Sequence, residues 1–575
     1  MKDILKERFG EIERLAAAVG LKPYDICYFE VPASLITEVA SYGLPTRYSH
    51  WSFGKVHQYQ RMQGEMGYSH IYELILNNDP SYAFLDKDNS DTGNLLIAAH
   101  CLGHSHFFKN NIMFQQCGET NMVQIAKRHA DLIDQYRKEY GDDEVDEWLD
   151  LALALEQHVD IYKGLKRQRY PQRHIEYQER TQTKWEDIVD EKKLKPVVKK
   201  TTKGIYVPPE PEKDILWFLS EYANLEPWQK NIFLIVRRES YYFFPQFKTK
   251  IINEGCASFF HAEIMHQYSL GDYNDYGVTG LKYPLTPEEY LDFLAMHEKV
   301  VQPGAKIPLK VVREEVDHNG RPTGKTIKRW NHKVRENPRL FNAAIRINPY
   351  YVGYRMLRNI KDRWDKYYKD GYRKDEFGQE IPVTINGLQK VFEVLETEDD
   401  VSFFKNYLTE ELCDELHLFA YGNNDLYDDS YETQEQINER EQQSESFGDL
   451  EIDDKIIENK TVVVRSKDVK NVVKAFARAR NNYGVPVIVV RRVDEAGMLR
   501  LEHVQDDAVN IDVAYAEYVL KYIFQAWGRP VELIRKDVKE ERTWILSYDG
   551  ISYNKDYQTI DYPECIEKDQ RPSSW

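Results

Sequence analysis

The chain has 575 residues, enough for two to four domains with sizeable cores. Its formal net charge of −18 opposes the phosphate neutralisation that drives nonspecific nucleic-acid binding, so nucleic acid is not an expected partner. Forty tyrosines and 13% aromatic content indicate an ordered globular protein, and six scattered cysteines without a CxxC pair speak against a disulfide framework or zinc ribbon.

Residues 1–20, opening MKDILKERFGEIERL, read as a charged amphipathic helix and not as a signal peptide. No apolar run approaches the roughly 18 residues a membrane helix needs, so the expectation is a cytoplasmic protein without membrane insertion. Next, PTRYSHWSFGK crowds Arg47, Tyr48, His50, Trp51, Phe53 and Lys55 beside a Gly-Leu-Pro turn. These groups hydrogen-bond and stack, and the stretch reads as a loop that either covers the core or lines a site; His50, Trp51 and Lys55 are then substrate-binding candidates. Residues 68–85 read as a strand or irregular segment that makes Glu73 available.

The segment 95–111, LLIAAHCLGHSHFFKNN, begins apolar and small and reads as a buried helix. Residues four apart share a helix face, so His100 and His104 can offer two imidazoles to one metal. This is the spacing of HExxH zinc enzymes, with Cys101 in place of the catalytic glutamate. His106 lies about 200° round the helix from His104 and is a poorer ligand.

Residues 119–162 keep a helical period, and 163–214 turn basic and proline-rich, as an exposed excursion does. Helical packing resumes at 215–247 and leads into NEGCASFFHAEIMH, where Glu254 and His261 lie two turns apart on one face. His100, His104 and Glu254 form a two-histidine, one-glutamate ligand set for one transition metal, zinc or alternatively iron, with His261 a fourth ligand or a group behind the ligands. The arrangement resembles gluzincin metallopeptidases, in which an HExxH helix pairs with a later helix carrying a glutamate ligand. The competing reading is a buried His/Glu hydrogen-bond network without metal. His297 follows on a further helix, 307–334 reads as a β-hairpin, and 348–367 and 402–420 read as helices.

Residues 426–458 are acidic, polar and almost free of aliphatics, as a linker is. Beyond them a β-α-β-β-α-β order suggests a small ferredoxin-like module. The expected fold is therefore α+β: a large, mainly helical region over 1–425 with a metallopeptidase-like core, the acidic linker, and a small α+β module over 459–575.

Six separated stretches, PTRYSHWSFGK, AHCLGHSHFFKNN, NEGCASFFHAEIM, NPYYVGYRMLRNI, DDVSFFKNYLTEELCDELHLF and WGRPVEL, together resemble the SpoVR family, named for stage V sporulation protein R. The resemblance implies a cytosolic bacterial protein linked to spore cortex formation, or to stress response in bacteria that do not sporulate. It also implies a PrkA-type serine kinase and a YeaH/YhbH-type protein as partners. His50, His100, His104, Glu254 and His261 fall within the matching stretches; His297 does not.

Two functions compete. One is a metal-dependent hydrolase acting on an amide bond, with the metal on His100, His104 and Glu254 and proton transfer by His261, His297 or Glu73. The other is a scaffold or regulatory protein whose His/Glu site is structural.

Overall fold

The computed structural model describes residues 3–65, 73–170, 173–180, 198–205, 208, 210–302, 309–316, 322–330, 348–375, 377–416, 418, 420–423, 462–466, 468–480, 485–494, 496–504, 511–537 and 542–558. The architecture is α+β, mostly helical with small sheets. The chain divides into two compact units, one of Met1–Pro45, Trp51–Val123 and Pro245–Arg480, the other of Thr46–His50, Gln124–Phe244 and Asn481–Trp575. These limits differ from the expected ones, since residues 124–244 group with the C-terminal residues and not with the rest of 1–425. The acidic linker at 426–458 lies outside the described residues.

The first unit is built round the helix Asp91–Asn110, in which every residue from Thr92 to Phe108 is buried. A helix apolar on all sides needs a neighbour on all sides. The helix starts where the Ser90 side chain accepts a hydrogen bond from the Gly93 amide, and it ends at the Asn111 C-cap. The helix Asp3–Val19 covers one side with Leu5, Phe9, Ile12 and Ala16, spaced three or four apart. A three-stranded sheet lies beside it, with Ser81–Asp86 in the middle, parallel to Ile26–Val31 and antiparallel to Glu73–Leu76. Ser81 Oγ meets Ser105 Oγ at 3.1 Å and ties that sheet to the helix.

On its other side the histidine helix crosses the helix Lys250–Ser269 where a Cβ on Gly103 would lie 2.7 Å from the Ala257 Cα. Lys250–Ser269 in turn crosses Pro349–Asp370 at Gly255 and Gly353. The Asp400 carboxylate caps the start of Lys250–Ser269, accepting from the amides of Ile251 and Ile252 at 2.9 to 3.0 Å. The hairpin expected over 307–334 forms from Leu309–Val316 and Pro322–Trp330.

The expected β-α-β-β-α-β module is not the arrangement found. Its first strand, Val462–Ser466, pairs with Ala420–Asn423 and with Pro322–Trp330. Its first helix, Val469–Arg480, also belongs to the first unit, where Phe476 stacks on Phe404 with centroids 3.8 Å apart. A buried aromatic pair outweighs proximity in sequence. What remains in the second unit is a five-stranded sheet in the order Ile488–Val493, Leu499–His503, Val531–Asp537, Arg542–Tyr548, Tyr553–Gln558. Only the second and third strands are parallel, and the helix Val513–Trp527 connects them.

The 163–214 segment, expected as an exposed excursion, is half-buried or exposed over 163–170 but packed at its C-terminal end. Glu212 and Asp214 are fully buried, Glu212 against Arg167 and Asp214 against Arg237. Its strands Arg173–Arg180 and Val198–Ile205 pair antiparallel.

Candidate metal centre

Among the described residues, one group of histidine, cysteine and carboxylate side chains could hold a metal ion: His100, His104 and Glu254, all buried. The i, i+4 spacing aligns the two imidazoles, and the Gly103–Ala257 crossing brings Glu254 to them. His100 Nε2 and His104 Nε2 are 3.0 Å apart, and Glu254 Oε2 lies 3.7 and 3.4 Å from them. Glu254 Oε2 is buried beside the two imidazoles, and a buried carboxylate oxygen is costly unless cations or hydrogen-bond donors answer it. Three ligands on a tetrahedral zinc at 2.0–2.1 Å stand about 3.3 Å apart, so the separations suit such an ion.

The atoms behind the ligands are also engaged. His104 Nδ1 is 2.9 Å from Asn253 Oδ1, and because an amide oxygen only accepts, His104 Nδ1 is the donor of that bond. His100 Nδ1 lies 2.9 Å from His261 Nδ1, and His261 Nε2 lies 2.7 Å from His297 Nδ1. The Tyr350 ring stacks on His100 with centroids 5.9 Å apart. Lys250 Nζ binds Glu254 Oε1 at 2.5 Å, which leaves Oε2 to face the histidines.

Burial sets the electrostatics. It pushes His100 and His297 down to about 4 and His261 well below its ordinary range, so all three are uncharged at neutral pH. Burial opposes ionisation of Glu254, but Lys250 and hydrogen bonding by the two histidines overcome it and hold the carboxyl well below the usual range. Glu73, on the strand Glu73–Leu76, is pushed up to about 7 by burial and by the Glu254 charge. The charge on Glu254, with burial, raises the Tyr350 hydroxyl well above its ordinary value.

The structure thus brings together His100, His104, Glu254, His261 and His297, and its electrostatics link Glu73 to the same charges. The three substrate-binding candidates are not gathered there. His50 belongs to the second unit, 3.2 Å from Asp150. Trp51 and Lys55 lie on a helix, Trp51–Glu65, and not in the loop expected; both are exposed. His106 is a buried core histidine whose Nδ1 accepts from the Lys22 amide at 2.9 Å, with its Nε2 buried and away from the ligand cluster. His297 is half-buried against His261.

Sequence reading missed Asn253, Tyr350 and Lys250. Lys250 had a legible signal, its i, i+4 spacing to Glu254; the other two depend on how the helices cross. It also missed a buried cluster in the second unit, where Glu239 takes Arg47 Nε at 2.7 Å and His129 Nδ1 at 2.9 Å. No described helix is long and apolar enough to cross a membrane.

A family profile described as SpoVR like protein matches residues 2–445. An Escherichia coli protein, printed as "Uncharacterized protein YcgB", is 28% identical over 454 residues, covering 74% of this chain and 76% of its own. No solved structure matches the chain. The profile spans well over half of the sequence, including all three ligand positions, and the chain belongs to the SpoVR family.

Proposed function

We propose that the chain is a metal-dependent hydrolase acting on an amide bond, with one transition metal held by His100, His104 and Glu254. The observation that carries this reading is the buried Glu254 Oε2 facing two imidazole Nε2 atoms at ligand separations. The donor set, two histidines and a carboxylate, suits zinc first and iron second. A bound metal supplies Lewis acidity, which polarises a carbonyl and acidifies water. Three ligands leave a position for substrate.

The chain's own groups supply the rest. Position 101 holds a buried cysteine whose thiol burial pushes well above its ordinary value, so it is no base. Glu73, at about 7, is poised to take a proton at neutral pH. His261 and His297 lead away from His100 and offer a second route. Tyr350 orients His100 by stacking. By family, the setting is the cytoplasm, in spore cortex formation or stress response, beside a PrkA-type kinase and a YeaH/YhbH-type protein, with a peptide or cell-wall precursor as substrate.

A second reading, a scaffold with a structural metal, is favoured by one observation: all three ligands are buried. Elemental analysis of protein purified without added metal, wild type against His100→Ala and Glu254→Ala, tests the centre. About one metal per wild-type chain and little in either variant is expected; equal content in all three overturns the site. Hydrolysis of amide-bonded cell-wall peptides by the loaded wild type, abolished in Glu73→Gln with metal retained, separates enzyme from scaffold.

A further inference from the structure

We propose that the exposed tyrosine stripe of the helix Val513–Trp527, with the acidic helix packed beside it, is a docking surface for a lysine- and arginine-rich segment of a partner protein. This surface belongs to the second unit and is independent of the metal reading.

Tyr515, Tyr518 and Tyr522 stand at i, i+3 and i+7 and share one face of their helix. Leu520 and Ile523 are buried on the other side, and Phe524 meets Tyr548 of the five-stranded sheet edge-on, with ring centroids 5.3 Å apart. The sheet takes that side and leaves the tyrosines outside it. Tyr515 is 59% exposed and Tyr518 68%, and Tyr522 is half-buried at the C-terminal end of the stripe. Large rings held open on adjacent turns differ from singly scattered apolar residues, and tyrosine is a residue type that carries much of the energy at protein interfaces.

The neighbouring charge selects the partner. The helix Asp142–Ala154 packs against Val513–Trp527 and carries six carboxylates, Asp142, Asp143, Glu144, Asp146, Glu147 and Asp150. Glu517 is a seventh, and Lys521 is the only basic residue on either helix. Asp146 meets Arg137 at 2.6 Å and Asp150 meets His50 at 3.2 Å, and Glu147 adds an exposed charge beside them. Burial, then the charges of Asp150 and Glu147, then Tyr515 raise the Tyr522 hydroxyl above its ordinary value, as expected for carboxylates lying along the stripe. A cation over a ring face is attracted by the ring quadrupole, and a carboxylate alongside supplies the counter-charge. An acidic partner or a nucleic acid is repelled here, and an apolar partner desolvates the carboxylates without answering them. A basic segment satisfies both the rings and the charges. Tyr515 and Tyr522 stand about 10 Å apart along the helix axis, the reach of about three residues of extended chain.

The test uses the full chain and a fluorescein-labelled peptide of repeated Arg-Lys-Ser, with the same peptide carrying glutamine at every basic position as control. Fluorescence anisotropy should show binding of the basic peptide, weakening as salt is raised, and none of the control. Tyr515→Ala combined with Tyr518→Ala should weaken binding about 10-fold, whereas Tyr515→Phe combined with Tyr518→Phe keeps both ring faces and should bind as the wild type does. Glu147→Gln should weaken binding and flatten its salt dependence. Equal binding by the wild type and the alanine pair would reflect net negative charge alone and overturns the proposal. Absence of binding by the wild type overturns it too. So does a wild-type dimer in sedimentation that the alanine pair reduces to a monomer, which would assign the stripe to a second copy of the chain. Should the alanine pair fail to fold, unchanged affinity and salt dependence in Glu147→Gln overturns the proposal on its own.

Discussion

Gly255 and Gly353 meet backbone to backbone: a Cβ on Gly255 would lie 2.6 Å from the Gly353 Cα, and a Cβ on Gly353 would lie 2.2 Å from the Ile251 carbonyl oxygen. That approach seats the helix carrying Glu254 against the helix carrying Tyr350. Gly353→Ala must push two backbones apart. We expect a loss of about 1–3 kcal/mol in denaturant unfolding, with less metal retained per folded chain. Gly10→Ala is the control, since a Cβ there meets nothing within 4 Å; it should be neutral or stabilise by up to about 1 kcal/mol. Equal stability of Gly353→Ala and wild type would show that the crossing is slack.

The ligand set was legible because each of its parts is local. His100 and His104 declare a shared face by spacing alone, and Glu254 opens a small-residue helix start. His261 was legible as a fourth ligand or a group behind the ligands, by its two-turn spacing from Glu254, but its contacts were not, because it meets His100 across 161 residues and His297 meets it across 36. His50 and Trp51 are neighbours in sequence but fall into different units, so a loop read as one lid is a helix start on one side and part of the second unit on the other. The 462–480 segment misled for a similar reason. Its local β-α pattern is real, but which sheet and core it joins is decided by Phe476 finding Phe404. Local pattern reports the type of element, and partners come from burial that no local window contains.

The second unit holds a buried ion cluster with a definite expectation. Burial opposes the Glu239 charge, and Arg47 and His129 overcome it, holding the carboxyl below its usual value. Glu239 and Arg47 are both nearly inaccessible, so removing one charge leaves the other desolvated. Glu239→Gln should cost about 3–5 kcal/mol in chemical denaturation and leave metal content per folded chain unchanged. A change under about 1 kcal/mol would mean the cluster is solvated in solution.

Acid should destabilise the chain through its buried histidines. For His106 the folded value is about 4 against an ordinary 6.5, because burial disfavours the cation and the Lys22 and Lys109 charges add to it. A depressed histidine contributes stability that is complete above about pH 6.5 and is lost as pH falls towards 4. For one such group the full change is on the order of 3 kcal/mol. His106→Asn keeps an acceptor for the Lys22 amide but cannot titrate. Its stability, measured by urea unfolding from pH 7.5 to 4.5, should fall less steeply than that of the wild type. Parallel slopes would place the acid sensitivity elsewhere.

Lys250 and Glu254 give the sharpest separation of structural from ligand roles. Lys250 is half exposed, so Lys250→Met should lower the stability of the metal-free chain by only about 1 kcal/mol. The same change removes the cation that answers the Glu254 charge and the repulsion an incoming metal ion would meet there. Glu254 then depends more heavily on the metal, and added zinc should stabilise Lys250→Met by more than it stabilises the wild type. A ligand that binds only the folded state raises stability in proportion to the logarithm of its binding constant. Tenfold tighter binding therefore appears as about 1.4 kcal/mol of extra zinc-dependent stability at the same free zinc. In Glu254→Gln the neutral amide cannot ligate as a carboxylate does, and the zinc increment should nearly vanish. Thermal or urea unfolding of the three proteins with and without zinc chloride reads all of this at once. An increment of the same size in all three would mean that zinc binds away from Glu254.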